Sequence, residues 1–248
     1  MAAETLGTDG MGRISPMQRI AAWAVHLYTA SGLVLALLAI AAVFRKDWHS
    51  VLVLMVAAFV IDGTDGALAR AVRVKDVLPQ VDGRLLDSLT DIVNHAFVPA
   101  VLLAYGDMLP PHMAVPAAAA SLLASAYHWS NTRSVSADRY LVGFPGNWNL
   151  VAGYLLVLRF PPLAALAVVV LFVVLSFVPL KWVYVSQARE HRAIVRMAAV
   201  LWAAAWAIIL LGYPPPRWQV VISLIPAVLL VALGIRSTFR RDPDQARM

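Results

Sequence analysis

Four aspartates stand in stretches that otherwise read as apolar helix. The segment VLVLMVAAFVIDGTDGALAR carries Asp62 and Asp65, and DGRLLDSLTDIVNHAFVPA, after a basic loop, carries Asp87 and Asp91. The first two are three residues apart and the second two four apart, so each pair occupies one face of its helix. The loop between the segments is short, which lets the pairs face each other near a membrane surface. Carboxylates gathered in this way repel, and several would be forced to protonate unless cations compensate them; two divalent ions bring the formal charge to zero. The chain has no cysteine, so a metal must be held by oxygen or imidazole, and an all-oxygen set suits Mg²⁺ or Mn²⁺ better than zinc. Both ions suit substrates that carry phosphate, which points to phosphoryl or phosphatidyl transfer. Gly66, directly after Asp65, leaves room for a phosphate or nucleotide against the backbone, and Gly83 offers the same at the start of the next span. Arg70 follows Asp65 by five residues, where its planar fork can neutralise a pyrophosphate. Two further acids read differently: Asp82, just before a helix, as an N-cap, and Asp76 as a solvated loop charge.

The elements that must position these residues are membrane helices. Of 248 residues, 61% are hydrophobic and 14% charged, with a mean hydropathy of +0.74, so most of the chain must avoid water. Stretches without Asp, Glu, Lys or Arg predict spans near 20–44, 50–71, 87–106, 112–131, 140–158, 160–180, 197–216 and 218–235. Pro110, Pro111, Pro145, Pro161, Pro162 and Pro214 to Pro216 punctuate them. The fold class predicted is all-α, a polytopic helical bundle of about eight transmembrane helices in a single domain, 1–248. Spans 1 and 2 are joined so closely that they must pack antiparallel, and Ala30, Ser31 and Gly32 let helix backbones approach.

Placing the amino terminus inside puts Arg13, Arg19, Arg70, Arg73, Lys75, Arg84, Arg133, Arg139, Lys181, Arg189, Arg192, Arg196, Arg236, Arg240, Arg241 and Arg247 on the inner side. Only Arg45, Lys46, Arg159 and Arg217 are then outside. This asymmetry predicts cytoplasmic termini, an even number of spans, and a cytoplasmic acid-bearing loop. Residues 1–18 contain no apolar run of the kind a cleaved signal needs. The net charge of +6 is spread between apolar runs rather than gathered in a patch, so lipid headgroups, not nucleic acid, are the expected partners.

Taken together, Asp62-x2-Asp65-Gly66-x2-Ala69-Arg70 and Gly83-x3-Asp87-x3-Asp91 resemble the signature of the CDP-alcohol phosphotransferase family. The resemblance implies a six-helix catalytic core with two further helices. It implies two metal ions held at the cluster Asp62, Asp65, Asp87 and Asp91, the first three as ligands and Asp91 as the general base for the attacking alcohol. It also assigns Gly66, Ala69 and Arg70 to the CDP moiety, with Ala69 small so that the nucleotide fits. Twelve residues separate Arg70 from Gly83, longer than the commonest family spacing and similar to the bacterial phosphatidylcholine synthases, which condense CDP-diacylglycerol with choline. His26 to Gly32, Val74 to Pro79, Gly143 to Pro145 and Trp148-Asn149 look like that subfamily too. One departure is Ile92, with Asn94 and His95 beyond it, where the choline enzymes carry Tyr after the fourth aspartate. Serine, inositol phosphate, glycerol phosphate or another amino alcohol are alternative acceptors within the class. A bacterial inner (plasma) membrane location and a homodimer are implied by the same likeness.

A quaternary ammonium donates no hydrogen bonds, so a choline site needs aromatic faces. Tyr140 and Trp148, which flank the Gly143-Phe144-Pro145 segment, are the leading aromatic candidates, with Trp23, Tyr28, Tyr127, Trp129, Phe144, Trp182 and Tyr184 also near the inner side. Most such rings serve as interfacial anchors. His95 lies one turn beyond Asp91 and can hydrogen-bond within that site, whereas His26 reads first as a packing residue. Thr29 and Asn149 either bind nucleotide or join helices. Lys181, Arg189, Arg192 and Arg196 either receive a lipid phosphate or form a solvated inner loop. The competing class is an ion-coupled transporter. It would place its acids near the bilayer midplane rather than beside a basic loop.

Overall fold

The computed structural model describes residues 14–239 apart from 186 and 189. Arg13 with the rest of segment 1–13, Arg189, and the tail 240–248 with Arg240, Arg241 and Arg247 lie outside the described residues.

Helix α1 (Pro16–Phe44) begins with a reciprocal cap. The Ser15 hydroxyl accepts from the Gln18 backbone, the Gln18 side chain accepts from the Ser15 backbone, and Pro16 occupies the first turn. After a three-residue turn, α2 (Trp48–Val72) starts under the Asp47 carboxylate, which accepts from the Ser50 N–H. The two helices pack as an antiparallel pair, as their short connection requires. Arg73, in the left-handed region at φ 57°, ends α2 and leads into the short α3 (Val74–Val77). Asp76 pairs with Arg73 at 2.9 Å on the surface. Asp82 then caps α4 (Gly83–Asp91) by accepting from the N–H groups of Arg84 and Leu85.

α4, a π-helical turn (Ile92–Phe97) and α5 (Val98–Tyr105) form one continuous helix of 23 residues. Two local causes interrupt the regular ladder. Pro99 has no N–H to offer the carbonyl four residues back, and the Asn94 amide donates to the carbonyls of Thr90 at 3.0 Å and Gly32 at 3.1 Å. The contact with Gly32 needs close helix approach, since a Cβ there would lie 2.6 Å from Thr90 Cγ2.

The chain continues through α6 (Pro111–Ser130), β1 (Tyr140–Val142), α7 (Trp148–Leu158), α8 (Pro162–Phe177), β2 (Lys181–Val183), α9 (Arg192–Leu211) and α10 (Arg217–Phe239). With α4 to α5 counted once and α3 set aside, helices lie at all eight predicted spans. Five of them are long and apolar enough to cross a membrane: α1, α2, Gly83–Tyr105, α9 and α10. α7 and α8 are apolar but shorter, at 11 and 16 residues. The protein is a polytopic membrane helical bundle. Large apolar side chains, among them Leu37, Leu123, Leu211 and Phe239, are exposed on it, as a lipid-facing surface requires.

One boundary differs from the sequence reading, which runs the fifth helix from residue 140. Residues 140–147 instead form β1 and a loop, because Gly143 and Gly146 adopt φ of 79° and 75° around Pro145. A side chain at Gly143 would also strike the Ser176 carbonyl. β1 pairs antiparallel with β2, Tyr140 opposite Val183 and Leu141 opposite Trp182. α10 covers this ribbon, with the Lys181 N–H donating to Thr238 Oγ1 at 2.8 Å.

The main core joins small residues of α1 (Ala36, Ala39, Ala42) to Val51 and Met55 of α2, Leu102 and Leu103 of α5, and Trp148 and Ala152 of α7. With lipid as solvent, packing contacts of this kind, more than hydrophobic transfer, hold the helices together.

Candidate active site

α2 and α4 bring all four aspartates to one place. Ligand oxygens of Asp62, Asp65 and Asp87 lie within 4.8 Å of one another, and so do ligand atoms of Asp62, Asp91 and His95. Asp62 is common to both groups, so the two clusters are contiguous. Asp65 is buried and accepts a hydrogen bond from Thr29 Oγ1 at 2.8 Å, which fixes its orientation from α1. His95 is buried on the other side, its Nε2 3.8 Å from Asp62 Oδ2 and its ring stacked on Phe59 at 5.9 Å. The π-helical turn carries His95, and Asn94 anchors that turn to α1. Among the described residues no Lys or Arg is paired with any of the four carboxylates. Clustered acids without a compensating side-chain cation fit a divalent metal, and these groups can bind one.

Beside the acids a cleft of about 800 Å³ opens between α1, α2 and α4, with Asp65 and Asp87 in its wall. That volume is in the range of small-molecule sites. Gly66, Ala69, Arg70, Gly83 and Thr29 all line it. So do the basic residues Arg73, Lys75 and Arg84 and the acids Asp76 and Asp82, Arg73 being paired with Asp76. His26, read from sequence as packing, lines the same cleft. It is buried, its Nε2 has no hydrogen-bond partner among the described residues, and its ring approaches Gly83, where a Cβ would lie 3.2 Å from His26 Cε1. The spacing from His26 to Thr29, one helical turn, was the signal that both face one site.

The remaining candidates lie elsewhere. Trp148 is fully buried against Phe144 in the main core. Tyr140 sits in β1 with Lys181 Nζ over its ring at 5.8 Å. Lys181 also pairs with Asp138 at 2.7 Å. On the His95 side of the acids, Phe59 stacks on the His95 ring and Trp202 packs on Phe59 at 5.6 Å. Neither was singled out by sequence, because an isolated aromatic in an apolar helix carries no local signature.

Several characterised proteins are similar to this chain. The phosphatidylcholine synthase of Borreliella burgdorferi is 35% identical over 71% of this chain and 75% of its own length. That of Pseudomonas aeruginosa is 33% identical over 81% and 84%, and that of Bradyrhizobium diazoefficiens 35% over 76% and 70%. No protein-family model matches. Bundle, acid cluster and likenesses together define an integral membrane transferase of phospholipid biosynthesis. More narrowly, the chain belongs to the phosphatidylcholine synthase family.

Proposed function

We propose that this protein transfers the phosphatidyl group of CDP-diacylglycerol to choline, giving phosphatidylcholine and CMP. The observation that carries the reading is the pair of carboxylate clusters sharing Asp62, set beside a cleft that Arg70, Lys75 and Arg84 also line, in a chain of this family. A nucleotide diphosphate needs a polar, positively lined cleft, while a diacylglycerol moiety needs lateral access to lipid. A cleft between the membrane helices α1, α2 and α4 supports both.

Asp62, Asp65 and Asp87 would hold two divalent cations, Mg²⁺ or Mn²⁺, whose charge offsets that of the pyrophosphate and of departing CMP. Thr29 holds the Asp65 carboxylate in position by its hydrogen bond. Arg70 neutralises the pyrophosphate, and Gly66, Ala69 and Gly83 keep the wall low enough for the nucleotide to approach. Asp91 takes the proton from the choline hydroxyl as its oxygen attacks the lipid-linked phosphorus. The new bond is phosphorus to choline oxygen; the bond broken joins that phosphorus to the oxygen that leaves with CMP. The distribution of Lys and Arg supports a site and termini that face the cytoplasm, and the likeness to bacterial phosphatidylcholine synthases supports a bacterial inner membrane.

The test is CMP release by purified protein with CDP-diacylglycerol and Mn²⁺, offered choline, ethanolamine, serine, inositol, inositol phosphate or glycerol phosphate in turn. Metal-dependent release with choline alone, lost in Asp91→Asn, is the expected result. Release with a different alcohol would keep the reaction and replace the acceptor, and no release from folded protein would reopen the transporter reading.

A further inference from the structure

The acid cluster includes one group that is not an acid. His95 is 5% exposed, and its Nε2 has no hydrogen-bond partner among the described residues. That nitrogen stands 3.8 Å from Asp62 Oδ2, and His95 shares with Asp62 and Asp91 a group of ligand atoms that all lie within 4.8 Å of one another. Phe59, one turn before Asp62 on α2, stacks on the imidazole with an interplanar angle of 27°. One helix thus supplies both the carboxylate and the surface that holds the ring. The other polar groups nearby are bonded elsewhere: Asn94 donates to the carbonyls of Gly32 and Thr90, and the indole N–H groups of Trp202 and Trp206 donate to Tyr154 Oη at 3.0 and 3.2 Å. That leaves His95 as the polar side chain of the π-helical turn that meets Asp62.

The separation of the two atoms decides between the roles a histidine can have here. A direct hydrogen bond needs about 3.2 Å or less, and the pair is farther apart. A water bonded to both at about 2.8 Å would hold them about 4.5 Å apart, and the pair is closer. Packing alone leaves a buried nitrogen beside a carboxylate with nothing to bond, which is costly. A shared ion fits. Two donors on one octahedral cation, each at about 2.1 Å, stand about 3.0 Å apart when adjacent and about 4.2 Å apart when opposite, and 3.8 Å falls between these limits. The donor type then matters. Mg²⁺ is a hard ion that takes oxygen, whereas a first-row transition ion accepts imidazole, and Mn²⁺ is the member of that row that also suits carboxylates.

We propose that His95 Nε2 and Asp62 bind one divalent cation between them, on the Asp91 side of the cluster, and that the imidazole makes this position selective for Mn²⁺ over Mg²⁺. The other group, Asp62, Asp65 and Asp87, offers oxygen only, so the two positions differ in the ion they prefer. This rests on the acid cluster being a metal site, as the proposed reaction requires.

The test is electron paramagnetic resonance of Mn²⁺ bound to the purified full chain, without substrate. Spin-echo modulation from a directly bound nitrogen is expected in the wild type and should vanish in His95→Gln, whose side chain can bind a cation through oxygen. The ratio of the Mg²⁺ to the Mn²⁺ dissociation constant, read by displacing bound Mn²⁺ with Mg²⁺, should fall about tenfold or more in His95→Gln and in His95→Phe. His95→Phe keeps a ring on Phe59, so an unchanged ratio there would assign the imidazole to packing and overturn the proposal. Nitrogen modulation that persists in His95→Gln would also overturn it. Wild-type Mn²⁺ with no nitrogen modulation would do so without any variant having to fold. Asp62→Asn separates this from the reading beneath it, because Asp62 belongs to both groups. If the wild type binds no Mn²⁺, or Asp62→Asn binds it equally tightly, the cluster is not the metal site and both fail. If binding is lost in Asp62→Asn but the wild-type ion has oxygen ligands alone, only the histidine assignment falls.

Discussion

The two sides of Asp62 are built in opposite ways. On the cleft side, residues 62 to 91 supply the acids, Gly66, Ala69, Arg70 and Gly83 from two helices joined by one loop, with α1 adding His26 and Thr29. On the aromatic side, Phe59, Asn149, Trp202 and Trp206 come from three helices far apart in the chain. The first side is polar and local; the second is apolar and assembled only by the fold. Local polar residues in a membrane helix announce themselves because they are costly there, whereas an indole among Ala and Leu announces nothing.

The largest expected effect falls on the polar side. Asp91→Asn should lower kcat by about a thousandfold, the scale of a lost general base, with CDP-diacylglycerol KM little changed. Chelation of divalent metal should abolish turnover of the wild type, with Mn²⁺ or Mg²⁺ restoring it. If chelation instead spares activity, the acids serve another purpose and the contrast between the two sides collapses.

A second, smaller effect tests whether α1 sets the acid geometry. Gly32→Val would force a side chain into Thr90 Cγ2, and overpacking of that kind costs about 1–3 kcal/mol. Thermal stability in detergent and activity should both fall, and adding Thr90→Ser, which removes the opposing methyl, should restore part of each. Thr29→Val removes the hydroxyl that donates to Asp65. It should weaken activation by Mn²⁺ about tenfold while leaving choline KM unchanged.

The smallest effect belongs to the aromatic side. Tyr154→Phe leaves two indole N–H groups without their partner, and should cost about 1–3 kcal/mol of stability. Activation by Mn²⁺ should not move, the inverse of the Thr29→Val pattern. A shared pattern in the two variants would mean that the sides are not separable.

Much of this architecture was legible beforehand. Charge-free runs located all eight helices because lipid tolerates little else, and the cap at Asp82 follows from residue chemistry. The ribbon at Tyr140–Val142 was not legible, since that stretch is as uncharged as a span and its turn depends on Gly143 and Gly146 adopting positive φ. Trp148 flanks the same turn and reads as a site residue, yet the fold sends it into the core. His26 was legible only in part: its spacing to Thr29 is visible, but the unpartnered Nε2 is a property of the packed structure.

The π-helical turn Ile92–Phe97 also sets the phase of the helix that contains it. Before the turn, Asp87 and Asp91 face the other acids; after it, Leu102 and Leu103 face the core. Each residue of a regular helix advances by about 100°, and a π turn absorbs one additional residue relative to the α ladder. Drawing residues 92–97 into a regular ladder with none removed would rotate the acids by about that angle relative to the leucines. The helix could then keep its metal face or its packing face, but not both.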